Sequence, residues 1–414
     1  MAVKRSVGIV DRGETFPYLS PMLTYLTSGE SHGPQLTAVI DGFPAGFPVD
    51  IEGINYQLAR RQKGYGRGGR MKIEQDKVEI VSGVRGSCTM GGPITFVIHN
   101  RDWENWSDIM HPIRPVGREQ PIAETSCPRP GHADLAGAIK WNHHDLRNVL
   151  ERASARETAA RVALGALTRQ LLERFKVVIA SHVIQIGSVV LPSGYDRTDL
   201  TKIIRLSEES DVRCIDKETE RRMFDSIKLA RDQQDSLGGV VELVVCGLPM
   251  GLGGFSQWYH RLDGRLASAM MSIPSVKGVE VGLGFQASGM RGSDVHDEIF
   301  YDADGDPVKK KFYRKTNNAG GIEGGITNGE DIIIRVAAKP ISTLKKPLKT
   351  IDVRTKKPAK AMVERADNCV VPALAVICEN TAALILADAF LEKYGSDNLA
   401  EIERNYQTFL DTDY

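Results

Sequence analysis

The sequence predicts an α+β fold with antiparallel sheets. Strand-like and helix-like stretches come in blocks rather than in strict alternation, which argues against a doubly wound parallel sheet. One stretch near the middle has no proline, a single glycine and alanine wherever a helix would pack closely. Neither an internal repeat nor a low-complexity linker divides the chain, so residues 22–414 read as one large domain. Residues 1–21 carry no clear period and are set aside as an N-terminal extension or a cloning scar.

In chain order, "MLTYLT" and "QLTAVIDGFPAG" read as strands, and "VDIEGINYQLARRQ" as a helix with Asp50 as N-cap and Ile51, Ile54 and Leu58 on one face. "KVEIVSGV" and "PITFVIHN" are strands split by a glycine turn, and residues 101–131 are irregular and rich in Pro and Trp. The proline-free stretch from Asp145 to about Phe175 predicts one long central helix, on which Arg152 and Arg156 share a face. Their expected partners are Glu151 and Glu157. Strands follow at "KVVIASHVIQIGSVVL", "GGVVELVVCGLP", "GVEVGLGF" and "DIIIRVAAKP", with a charged helical region over 198–235 and a last helix from Pro372 to about Lys393.

Lys plus Arg and Asp plus Glu are equal at 53 each, so any anion binding must be local rather than driven by a global field. Six cysteines lie scattered without a C-x-x-C pair, which suits a reducing cytoplasm. No run approaches the roughly 18 apolar residues that span a bilayer, and the N-terminus lacks a secretion-type apolar core. A soluble protein without membrane partners is expected.

The strongest charge feature is "ARRQKGYGRGGRMK", where Arg60, Arg61, Lys63, Arg67, Arg70 and Lys72 sit among four glycines with no acid between Glu52 and Glu74. Guanidinium forks on such a loop suit phosphate or carboxylate. "GYGRGG" matches G-x-G-x-x-G but follows a helix and leads into a strand, the wrong context for a dinucleotide fold. An RGG-like nucleic-acid contact is disfavoured by the zero net charge and the lack of a stacking platform. His132, His143 and His144 do not have zinc-ligand spacing, so no metal is expected.

His32 in "TSGESHGPQ" and His132 in "CPRPGHADLAG" both sit in stiff or glycine-flanked turns, the first beside Glu30, which either tunes the imidazole or closes the turn. "TNNAGGIEGGITNG" reads as a glycine loop too flexible to be there for packing, "KPISTLKKPLKT" mixes lysine with hydroxyls, and "VERADN" places Arg365 and Asp367 before the last helix, where an Asp is ordinarily a cap.

Taken together, "GESHG", "RRQKGYGRGGRMKIEQD", "SGVRGSCTMGGPI", "RPGHAD", "LRNVLERASARETAARVALGA", "GGVVELVVCGLPMGLG", "KGVEVGLGF", "TNNAGGIEGGITNG", "KPISTL" and "VERAD" resemble the blocks of the chorismate synthase family, in that family's order, across nearly the whole chain from Met22. The resemblance implies a β-α-β sandwich with helices between antiparallel sheets, assembled as a homotetramer. It implies an anti-1,4-elimination of phosphate from 5-enolpyruvylshikimate 3-phosphate to give chorismate, in the shikimate pathway of aromatic biosynthesis, with reduced FMN that is not consumed overall.

By the same resemblance His32 protonates the departing phosphate, His132 acts on reduced flavin near N1 and the C2 carbonyl, and Asp367 helps N5 take the substrate's C6 proton. Arg61, Arg67, Arg70, Arg129 and Arg156 match the basic pocket. Arg61 and Arg67 also match positions associated with NADP, which makes NADPH a candidate reductant. Flavin contacts are implied at Arg152, Ala153 and Ser154, at Gly324, at Lys339, Pro340, Ile341, Ser342 and Thr343, and at Arg365. Pro274 and Ser275 occupy a further flavin position where many members have Asn-Ala, so proline removes a backbone donor and the amide side chain is lost.

Overall fold

A computed structural model describes residues 22–68, 75–113, 125–364, 367–412 and 414. Two antiparallel sheets flank a helical centre. The first sheet orders its strands Thr24–Ser28, Gln35–Asp41, Ile94–His99 and Glu79–Ser82; the second runs Val276–Val281, Ile332–Ala338, Gly239–Cys246, Val178–Ile186 and Val189–Val190. All of these pairings are antiparallel, as expected of the blockwise pattern.

Alternation fixes which face is buried. Leu36, Ala38 and Ile40 point inward from one sheet, and Ile332, Ile334 and Val336 from the other. Between them lie the helices Thr158–Arg174 and Val371–Tyr394, which pack on each other and carry the inner faces of the two sheets. One buried apolar cluster runs from Leu23 to Ile402. Each fully buried aliphatic side chain in it contributes about 1.5–3 kcal/mol at most.

The two central helices touch at Gly165. A Cβ there would lie 2.1 Å from the Asn380 carbonyl oxygen, so only glycine permits the crossing. The helix Val371–Tyr394 is long and apolar enough to cross a membrane by length and composition, with 94% of its most apolar window buried inside the fold. The expectation that no segment reaches that length holds only for uninterrupted runs, because Glu379, Asn380 and Asp388 break this one. Glu379 is buried against Arg60, Arg169 and Arg213, and those guanidiniums hold its carboxyl well below the usual range although burial alone would raise it.

Other expectations need correction. Residues 145–175 are not one helix. A single turn at Arg147–Leu150 gives way to a 3₁₀ turn at Ala155–Glu157, and only then does Thr158–Arg174 begin. Ser154 is extended, and its hydroxyl accepts the Arg156 N–H, a local bond that competes with helix. Arg152 and Arg156 therefore share no helical face. Asp50 precedes its helix without a capping side-chain bond; its backbone is instead clasped by Gln170. The glycine run at 316–329 is packed rather than slack: a Cβ on Gly320 would sit 2.3 Å from the Gly282 nitrogen, and one on Gly321 2.5 Å from the Asp331 oxygen. Three helices of two turns or more, Asp134–Trp141, Leu262–Met271 and Leu399–Asp411, escape the sequence reading altogether.

Candidate active site

A cleft of about 610 Å³ opens where the first sheet's turns meet the N-terminal ends of both central helices. That is within the range of small-molecule sites. Four groups of side chains build it.

His32 sits in the turn between Thr24–Ser28 and Gln35–Asp41. Gly29 (φ +104°) makes this turn possible, since a Cβ there would fall 2.4 Å from the Gln35 carbonyl oxygen. The partner of His32 is Glu151, not Glu30. One Glu151 oxygen accepts the His32 backbone N–H at 2.8 Å, and the other lies 3.0 Å from Nδ1. The imidazole stacks on Trp106 with centroids 3.9 Å apart, and Arg147 lies over the same indole while bonding Glu151 at 3.1 Å. Burial alone would raise the Glu151 carboxyl, but the bonds and charge of His32 and Arg147 hold it below the ordinary carboxylate range. Glu30 closes the turn through its carbonyl, which accepts the Gly33 N–H.

His132 lines the same cleft. Its Nδ1 lies 2.5 Å from Asp134, which is fully buried and accepts three more bonds from Arg129, two from the guanidinium at 2.8 and 2.9 Å and one from the backbone N–H at 3.0 Å. Against the opposing effect of burial, these donors push Asp134 far below its usual pKa. Arg129 also donates to Thr343 at 2.8 Å, tying this loop to the segment Lys339–Thr343.

The third group is an arginine clamp. Arg156 bonds both oxygens of buried Asp76, at 2.6 and 2.8 Å, donates to Asn100 and lines the cleft. Arg61 reaches the same Asp76 at 3.3 Å and also Thr158. Burial pushes Arg61 down to about 10, with Arg156 and Arg67 adding to the fall and Asp76 opposing it; the group stays cationic at neutral pH. Arg67 pairs with Asp367 at 2.9 Å, and the Gly68 N–H donates to the other Asp367 oxygen.

The last wall mixes apolar and polar surface. Ala153, Pro274, Leu374 and Ile377 supply the apolar part; Ser154, Ser275, Lys339, Ser342 and Thr343 supply donors. Lys339 donates to the Gly131 carbonyl, and burial, helped by Lys277, lowers its pKa. Pro274 and Ser275 line the cleft despite their departure from the commoner Asn-Ala, and the Ser275 carbonyl accepts the Lys339 N–H at 2.9 Å.

Of the sites expected from sequence, His32, His132, Asp367, Arg61, Arg67, Arg129, Arg156, Ala153, Ser154, Pro274, Ser275 and Lys339 through Thr343, with Pro340 and Ile341, converge on this cleft. Arg152 does not line it: its guanidinium holds the Thr27 and Gly29 carbonyls at 2.8 and 3.1 Å, bracing the turn that carries His32. Gly324 lies in the hairpin Ile322–Glu323/Ile326–Thr327 away from the lining. Arg70 and Arg365 lie outside the described residues. Glu151, Trp106, Asp134, Asp76 and Asn100 were missed. Only Asp134 had a local signal, two residues past His132.

A sequence model described as chorismate synthase matches residues 23–391. The chain belongs to that family. A chorismate synthase from Alkaliphilus metalliredigens is 52% identical over 388 residues, covering 94% of this chain and 99% of its own length. One from Geobacter metallireducens is 53% identical over 394 residues, with the same coverage of both chains. A crystal structure of chorismate synthase, 39% identical, superposes with a TM-score of 0.74 over 94% of this chain and 97% of that one. Membership makes the activity that of a chorismate synthase, a carbon–oxygen lyase acting on phosphate, and the β-α-β sandwich is the architecture expected of it.

Proposed function

We propose that this chain eliminates phosphate from 5-enolpyruvylshikimate 3-phosphate to give chorismate, with reduced FMN held in the 610 Å³ cleft. One observation carries the reading: two histidines, each oriented by a buried carboxylate and an arginine, face one cleft lined by both apolar and cationic side chains. The residues fit a flavin. Ala153, Pro274, Leu374 and Ile377 offer surface to a flat ring system, while Ser154, Lys339, Ser342 and Thr343 offer donors to its polar edge and phosphate. When bound, reduced FMN supplies electron density that eases the elimination without net consumption.

The reaction breaks the C3–O bond to phosphate and a C–H bond at C6, and a new double bond forms, so no net oxidation occurs. Developing charge on the departing phosphate must be met by a proton or cation in a site of low dielectric. His32 Nε2 is the proton donor there, because Nδ1 is committed to Glu151. The Arg61, Arg156 and Arg67 guanidiniums orient the substrate's carboxylates and phosphate. His132 and Asp367 hold protons at the flavin side, fixed by Asp134 and Arg67. Gly324 lies outside this cleft, and its flavin contact is proposed across a subunit boundary of a homotetramer. The setting is cytoplasmic, consistent with six free thiols.

The test is an anaerobic assay with chemically reduced FMN. Release of phosphate together with chorismate is expected; no phosphate release sinks the reading. The same assay with oxidised FMN and NADPH reports whether NADPH serves as reductant.

A further inference from the structure

Between Thr343 and Glu364, both in the cleft wall, the chain leaves the site and returns through the hairpin Lys349–Ile351/Pro358–Lys360. The excursion carries seven cations, Lys345, Lys346, Lys349, Arg354, Lys356, Lys357 and Lys360, against one carboxylate, Asp352. All six lysines are exposed, and among the described residues none pairs with a carboxylate. The local acids are already engaged: Asp352 accepts from Ser126 at 2.9 Å, and Glu364 pairs with Arg147 at 3.3 Å.

Folding does not account for this charge. Lys349 and Lys360 are directly opposed in the ladder, an arrangement that repels. Yet the hairpin is pinned in place. Val353 donates to the Ser126 carbonyl at 2.9 Å and Met362 to that of Cys127 at 3.3 Å, so the lysines sit beside the loop carrying Arg129 and His132. The whole chain is formally neutral, so seven cations against one carboxylate make this hairpin a local positive excess.

We infer that the hairpin is an electrostatic guide that draws small phosphorylated anions into the cleft without touching them once bound. The inference rests on the proposed function for the identity of those anions, the substrate and FMN. Fixed charges at the mouth of a low-dielectric cleft raise encounter rates by about 10–10³ at low salt and lose that effect as salt rises. Bound-state contacts belong to the arginine clamp and the Lys339–Thr343 wall instead.

The test compares association rates, by stopped-flow quenching of flavin fluorescence, for FMN and for riboflavin, which lacks the phosphate. Salt is varied so that the Debye length runs from about 30 to about 3 Å. For the unaltered protein, FMN association should fall about tenfold across that range, the lower end of typical steering. Riboflavin should be insensitive. The variant Lys345→Gln/Lys346→Gln/Lys356→Gln/Lys357→Gln should associate with FMN at the high-salt rate throughout, and the matching Lys→Arg variant should restore the salt dependence.

A parallel arm measures kcat and kcat/KM for 5-enolpyruvylshikimate 3-phosphate across the same salt series; at low salt kcat/KM should drop in the Gln variant with kcat unchanged. A response in either arm supports the guide and identifies its anion. Equal salt slopes for the Gln variant and the unaltered protein in both arms overturn it. The flavin arm needs no turnover, so a chain that fails to release phosphate yet shows steering sinks the function and spares the hairpin.

Discussion

The two histidine stations of the cleft use the same chemistry and reach it by opposite routes. At His132 the orienting carboxylate is Asp134, two residues away at the start of the helix Asp134–Trp141, and the arginine that completes the set is Arg129. At His32 the carboxylate is Glu151, 119 positions away, and the imidazole is further sandwiched by Trp106 from a third segment. The first station is local and readable from a motif. The second exists only once the fold has assembled, and Arg152 braces it by gripping the turn. The difference implies that His32 is the more vulnerable to change at a distance.

The sharpest way to break the comparison is His32→Ala. With its acid gone, turnover under anaerobic conditions should fall by about 100-fold, the common scale for a single acid–base group, while flavin titration still shows binding. Undiminished turnover would remove His32 from the reaction. Next comes Glu151→Gln, which preserves shape and removes charge. Without the carboxylate that holds Nδ1, kcat should fall by about tenfold while flavin affinity stays unchanged. Undiminished kcat would mean that Glu151 only holds the loop. Smaller still is Trp106→Leu. Loss of the stacked ring should cost about 1 kcal/mol, roughly fivefold in kcat, with little change at the His132 station as read by flavin affinity.

Far from the cleft, Glu242 offers a control in which activity should not move at all. It is buried against His182, Tyr195 and Arg197. Burial opposes ionisation, but the donors of His182 and Arg197 bring it down from 4.5 to about 2. A carboxyl whose folded-state pKa is depressed stabilises fully above its unfolded value and loses that contribution as pH falls through the folded one. Urea midpoints should therefore decline from pH 4.5 toward 2, and Glu242→Gln should flatten that part of the profile. The same variant should lose about 1 kcal/mol at neutral pH, a small cost because Arg197 is 37% exposed and water can solvate its freed charge. An unchanged acid limb would show that other carboxylates dominate acid unfolding.

Much of the fold was legible where periodicity is strong. Strands such as Gln35–Asp41 and Ile332–Ala338 alternate cleanly, and Val371–Tyr394 announces itself by length and apolarity. The break at 151–157 was not, because helix propensity there is high and the residues that undo it, Glu151 and Arg156, answer to His32, Asp76 and Asn100 across the molecule. Leu399–Asp411 did carry a readable signal: Asn398 caps Glu401, the pairing that often opens a helix. At the site, motif residues were visible and their counter-ions were not. Asp76, Asn100 and Glu151 look like ordinary polar residues until the fold sets them against arginine or histidine. Trp106 lay in a stretch that had no period to interpret.

The glycine contact between Gly165 and the Asn380 backbone reaches beyond packing. Thr158 and Ile377, both in the cleft wall, lie on the same two helices about two turns and one turn away. The crossing therefore works as a caliper: the separation of two backbones at one hydrogen-sized side chain sets the distance between the cleft wall at Thr158 and the cleft wall at Ile377. Cleft width in this protein is a property of its innermost layer, decided where no ligand ever reaches.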